Sequence, residues 1–220
     1  MNDSSTLPMR PALFWFAIFY GGMVCIAGVL GNKQVALGPL AVEAGIFAFL
    51  FLVITSSAVA ELYGRPVANK LVLIGFVPLL FSMLLTTLVL ALPASPEMAP
   101  DRLAAFDLMM RATPRIWLAG IIAYGISQIL NVTIFTALRG KGADGAPGVG
   151  SWVWLRGAIA SVLSQIVDTF LFITIAFYGI FPIAGLLAGQ MVAKVVLSIV
   201  MVPVFITLFV ALGRRLDARG

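Results

Sequence analysis

The chain has 220 residues, of which 61% are hydrophobic and only 10% charged, with a net charge of +5. A soluble domain carries about 25% charged and roughly 45–50% apolar residues, so this composition excludes a soluble enzyme, a disordered chain, a disulfide scaffold and an ordinary DNA-binding module. With no histidine, metal–imidazole chemistry and a Ser-His triad are excluded too, and the single Cys25 can form no internal disulfide.

A membrane-spanning helix needs about 20 apolar residues, so six need roughly 120. Charge-free runs from Pro11 to Asn32, Ala44 to Ala60, Leu71 to Pro96 and Ile116 to Leu138 mark four helices. The first exceeds a signal-peptide core and has no cleavage site after it, so it reads as a retained span. Glu43 falls in the first turn of the second, where the helix dipole favours a carboxylate. Thr113-Pro114 reads as N-cap and first position of the fourth. A Tyr178-Gly179-Ile180-Phe181-Pro182 turn divides the last long apolar stretch in two. The expected fold is an all-α integral membrane protein, one domain over residues 1–220. Its six transmembrane helices are expected at 12–31, 39–61, 67–92, 114–138, 151–178 and 183–211. A short helix at 100–112, with Leu103, Phe106 and Met110 at helical spacing, is expected on the outer membrane surface. The glycine-rich loop from Gly140 to Gly150 is no P-loop, because Lys141 precedes the glycines and no Gly-Lys-Ser/Thr closes the run.

An even number of spans puts both termini on one side. That side collects Arg10, Arg65, Lys70, Arg139, Lys141, Arg156, Arg214, Arg215 and Arg219, while the other has Lys33, Arg102, Arg111 and Arg115. The excess predicts both termini in the cytoplasm. It also accounts for the basic charge through the lipid bilayer, with no nucleic-acid partner.

Charged groups inside spans cost about 2.5–3.5 kcal/mol on insertion scales and mark functional sites. Asp168 lies ten residues before Tyr178, and Lys194 eleven after Ile183, so each is about 15–16 Å from the shared turn. The hairpin places this acid and base at the same depth, near the bilayer midplane. Gln165 and Gln190 share a helix face with Asp168 and Lys194 respectively. The segment Ser127-Gln128-Ile129-Leu130-Asn131 is echoed by Ser164-Gln165-Ile166-Val167-Asp168. A matched motif on antiparallel spans suggests a pseudo-two-fold inverted repeat, with a substrate site at its interface. Polar residues in spans also serve as interhelical hydrogen-bonders. That reading stands beside a ligand role for Gln128, Gln165, Asn131 and Gln190. Arg156 reads as a snorkelling boundary residue, and Pro78 and Pro203 read as kinks.

Several residues together resemble a known family. The run from Thr55 through Glu61-Leu62-Tyr63-Gly64-Arg65 resembles the Asp-x-x-x-Glu-x-Tyr-Gly motif of the queuosine precursor transporter family, also described as vitamin uptake transporters. Asn32-Lys33 is similar to its Asn-Lys element. Arg156, Ser161, Gln165-Ile166-Val167-Asp168-Thr169, Phe172 and Phe177-Tyr178-Gly179 resemble its fifth-helix signature, and Lys194 and Pro203 its last helix. Ser57 and Asn131 stand where the family usually or often has Asp. The resemblance implies a transporter, not an enzyme, needing no cofactor or metal. Its passenger would be a small purine-like molecule, 7-cyano-7-deazaguanine or 7-aminomethyl-7-deazaguanine, carried across the inner membrane. The alternative is a substrate-binding subunit of an energy-coupling-factor vitamin importer.

A guanine-like edge offers two donors that one carboxylate can accept, and an O6 that wants a donor. That matches Asp168 to the first, and Lys194, Gln165 or Gln128 to the second. Phe172, Phe177 and Tyr63 are available for the ring faces. Asn131 is a further candidate ligand, and the resemblance adds Asn32 and Glu61 to the site.

Overall fold

A computed structural model describes residues 10–137 and 153–218; the Gly140–Gly150 loop lies outside them. Six helices and one hairpin follow in order: α1 (Pro11–Leu30), β1 (Gln34–Leu37), β2 (Leu40–Glu43), α2 (Gly45–Tyr63), α3 (Arg65–Ala91), α4 (Pro100–Ala137), α5 (Val153–Phe177) and α6 (Ala184–Asp217). Among the described residues, α1, α2, α3 and the Ala184–Met201 part of α6 are long and apolar enough to cross a membrane, and α5 carries a shorter apolar stretch at Val162–Phe177. Large apolar side chains such as Leu73, Phe81, Leu84, Leu85 and Leu88 of α3 point outward. A continuous exposed face of this kind suits a lipid solvent, in which helices satisfy their backbone groups internally.

The interior is built on one face of α1. Ala12, Phe16, Tyr20 and Val24 recur every fourth residue and pack against Val59 of α2, Leu71 and Leu79 of α3 and Trp117 of α4. Phe19, Phe51, Phe205 and Phe209 interlock edge-on or stacked to join α1, α2 and α6. A second cluster, of Ile116, Ala119, Ile173, Ala176, Phe177 and Leu186, binds α4 to α5 and α6. The two ends of the helix set are also tied. Asp217 accepts the Ala12 N–H at 3.0 Å and the Tyr63 hydroxyl at 2.7 Å, while Arg10 lies over the Tyr63 ring. Arg115 donates to the carbonyls of Ile175 and Tyr178, placing a cation where the last carbonyls of α5 need one.

Two elements differ from the sequence expectation. The second helix begins at Gly45, not at 39, because residues 34–43 fold back as an antiparallel hairpin in which Leu37 faces Leu40. Its two-residue turn, Gly38-Pro39, puts Gly38 at φ +60, which only glycine adopts freely at the first turn position. The expected surface helix at 100–112 and the expected fourth helix are one helix, α4, with Pro114 inside it. Proline removes one helical hydrogen bond; beside it, the Thr113 hydroxyl donates to the Met109 carbonyl and accepts from Asn32.

Candidate functional site

The hairpin runs against α6. Val42, Ile46 and Ala193 form a small buried cluster there. Gly189 leaves room for the Ala41 backbone, which any Cβ at that position would strike. The Gln190 side-chain carbonyl accepts the Glu43 N–H at 2.9 Å, and its amide lies 3.4 Å from Glu43 Oε2. Glu43 Oε1 in turn accepts the N–H of Gly45 at 2.6 Å, an anion at the start of α2 where free N–H groups favour it. Gly31 and Gly45 flank this carboxylate so closely that a Cβ at either would meet its Oε1.

One turn further along α6, Lys194 Nζ donates to Asp168 Oδ2 of α5 at 2.6 Å. Both residues are 4% exposed. The Ser127 hydroxyl of α4 lies 3.4 Å from the other Asp168 oxygen. The Lys194 ammonium also stands 4.3 Å from the centre of the Phe49 ring, a cation–π contact that strengthens where water is scarce.

These groups line a cavity of about 100 Å³. Its polar wall is Asp168, Lys194, Gln190 and Glu43, and its aromatic wall is Tyr20, Phe49, Phe76, Trp117, Tyr124 and Phe172. Trp117 is seated by a hydrogen bond to the Cys25 carbonyl at 3.0 Å and by the missing side chain of Gly28, where a Cβ would collide with the indole. Tyr20 and Tyr124 are hydrogen-bonded to each other. A few polar groups converging in an apolar, aromatic hollow is the usual form of a small-molecule site.

Of the residues singled out from sequence, Asp168, Lys194, Gln190 and the ring of Phe172 meet in this cavity. Gln165 instead faces an apolar groove between α5 and α6, beside Ile166, Thr169 and Val195. Gln128 and Asn131 lie on α4 with side chains outside the described residues. Asn32 caps α1: its amide donates to the carbonyls of Gly28 and Val29 and to Thr113, satisfying the end of a helix. Glu61 is exposed on α2. Tyr63 is engaged with Asp217, and Phe177 packs between Phe172 and Phe181. Sequence reasoning gave Glu43 a helix-start role alone, which its bond to the Gly45 N–H reflects, and passed over Tyr20, Trp117 and Tyr124. Only the Gly38-Pro39 pair hinted that Glu43 sits in a hairpin and not on a helix.

A family model described as "Putative vitamin uptake transporter" matches residues 43–208. The queuosine precursor transporter of Escherichia coli (strain K12) is 27% identical over 140 residues. That match covers 63% of this chain and 61% of the relative. No solved structure matches the chain significantly.

Proposed function

The chain belongs to the vitamin uptake transporter family, and on that premise we propose that it imports a queuosine precursor, 7-cyano-7-deazaguanine or 7-aminomethyl-7-deazaguanine, across the inner membrane. The observation that carries the reading is the buried Asp168–Lys194 pair on the wall of an aromatic-lined cavity. A deazaguanine presents N1–H and an exocyclic NH₂ on one edge, and Asp168 is the acceptor for both. Its O6 takes a hydrogen bond from Lys194. Phe172, Trp117 and Tyr124 supply faces for the ring. An analogue without those groups cannot replace the hydrogen bonds that the pair gives up to admit it, which is costly.

The passenger must compete with an ion pair that is already closed. Binding therefore redistributes hydrogen bonds around Asp168 and Lys194 and does not fill an empty polar socket. Such an exchange holds the passenger without trapping it, as a carrier requires. Six crossings with both termini in the cytoplasm complete the reading, supported by the excess of Lys and Arg on that side.

Asp168→Asn keeps the side chain's shape and removes its charge. We expect uptake of labelled precursor by cells carrying that variant, normalised to the amount of protein in the membrane fraction, to fall to background. Uptake at the wild-type rate would refute the role of Asp168.

A further inference from the structure

Among the described residues, two carboxylates and one ammonium line the cavity. Lys194 is already committed to Asp168 at 2.6 Å. Glu43, 2% exposed, is the second acid on the same wall. Its Oε1 is held by the Gly45 N–H, and among the described residues Oε2 meets the amide of Gln190, at a long 3.4 Å. Among the described residues no cation lies within ion-pair distance of it. The charged groups on elements packed around it are Lys194 of α6 and Asp168 of α5. Arg115 of α4 is spent on the carbonyls of Ile175 and Tyr178, Lys33 ahead of the hairpin is exposed, and Tyr20 and Tyr124 contribute hydroxyls. An ionised Glu43 therefore leaves the cavity one negative charge in excess. A buried carboxylate in that position takes up a proton or a cation.

We propose that Glu43 is a second ligand of the passenger, placed to receive one positive charge: it pairs with an alkylammonium arm where the passenger has one, and carries a proton where the passenger is neutral. The proposal rests on the deazapurine reading above. Gln190 and Lys194 are one helical turn apart on one face of α6, so Glu43 stands about 5–6 Å along that face from the Asp168–Lys194 pair. With O6 at Lys194, the substituent on C7, which flanks O6 on the five-membered ring, is within reach of a carboxylate one turn along that wall. That substituent is where the two precursors differ, one ending in a neutral nitrile and the other in an ammonium.

Burial pushes the Glu43 carboxyl up to about 7, against the opposing pull of the Gly45 N–H, Lys194 and Gln190. Both protonation states are then accessible near neutral pH, and the two passengers select opposite ones. The nitrile prefers protonated Glu43, so its affinity falls as pH rises through neutrality. The ammonium prefers the carboxylate and stays charged itself over that range, so its affinity rises.

The test is equilibrium binding of both precursors to the purified full-length protein between about pH 6 and about pH 8. The fraction in the competent state changes about tenfold over that interval, and each affinity follows it. Opposite slopes support the proposal; parallel or flat profiles overturn it. In Glu43→Gln both profiles are expected to be flat, with the nitrile preferred, and profiles unchanged from wild type would overturn it. Should that variant fail to fold, Gln190→Met serves: losing the amide that favours the charged form moves the wild-type midpoint to higher pH, and an unmoved midpoint assigns the titration elsewhere and overturns the proposal. Wild-type protein that binds neither compound at any pH refutes the deazapurine reading itself, an outcome distinct from binding without a pH dependence.

Discussion

Asp168 and Lys194 illustrate how a buried ion pair constrains its own replacement. Removing one partner of such a pair costs about 3–5 kcal/mol, because the other is left charged and unpaired, whereas an apolar pair of similar volume is close to neutral. Lys194→Met should therefore lower the melting temperature of the purified protein sharply, and adding Asp168→Leu should restore most of it. Neither variant should bind the passenger. A double variant no more stable than the single one would show that the cost lies in packing, not in stranded charge. Tyr63 holds a different place. Its hydroxyl joins the end of α2 to Asp217 at the end of α6, and Asp217 in turn accepts an N–H in the first turn of α1.

The hairpin of β1 and β2 brings Glu43 to the cavity wall, against Gln190 of α6. Non-helical backbone near a membrane is tolerated where protein buries it or a cavity needs it; Val42 and Glu43 are both buried, and Glu43 lines the cavity. The hairpin's seat depends on the absent side chain of Gly189. Gly189→Leu forces the Ala41 backbone away from α6, at a cost of about 1–3 kcal/mol for overpacking. The expected result is faster proteolysis within residues 34–43 and weaker precursor binding, while the distant Tyr63–Asp217 contact persists. Unchanged cleavage and binding would show that the hairpin seats itself by other contacts. The long α4 acts as the opposite wall, presenting Trp117, Gly120 and Tyr124 at successive turns.

At the scale of the whole molecule, the exposed apolar face of α3 and the lack of any sizeable extramembrane domain among the described residues leave the bilayer as the medium in which the fold is stable. A carrier complete in itself should take up labelled precursor when this chain alone is reconstituted into liposomes. The initial rate should saturate with precursor concentration and disappear in Asp168→Asn. Inactive liposomes that become active only when an ATPase module is added would instead identify a binding subunit.

Apolar run length and the scarcity of charge announced a helical membrane protein, because spanning helices are set by local composition and need no partner to be recognised. The pairing of Asp168 with Lys194 was legible for a similar reason: a tight turn between two spans fixes the relative depth of residues on either side. Gln165 shows the limit of that reasoning, since spacing gives a residue's helix face but not which neighbour that face meets, and here it meets a groove. The merging of residues 100–112 with the fourth helix went unread because Thr113 and Pro114 make a good helix start in isolation. In the fold Thr113 serves Asn32 and Met109 instead. Glu43 reached the cavity through a turn, a glycine on another helix and a hydrogen bond to a residue 147 positions away. Contacts of that length arise only when the helices pack, so the sequence determined the medium and the acid–base pair, and tertiary structure decided what surrounds them.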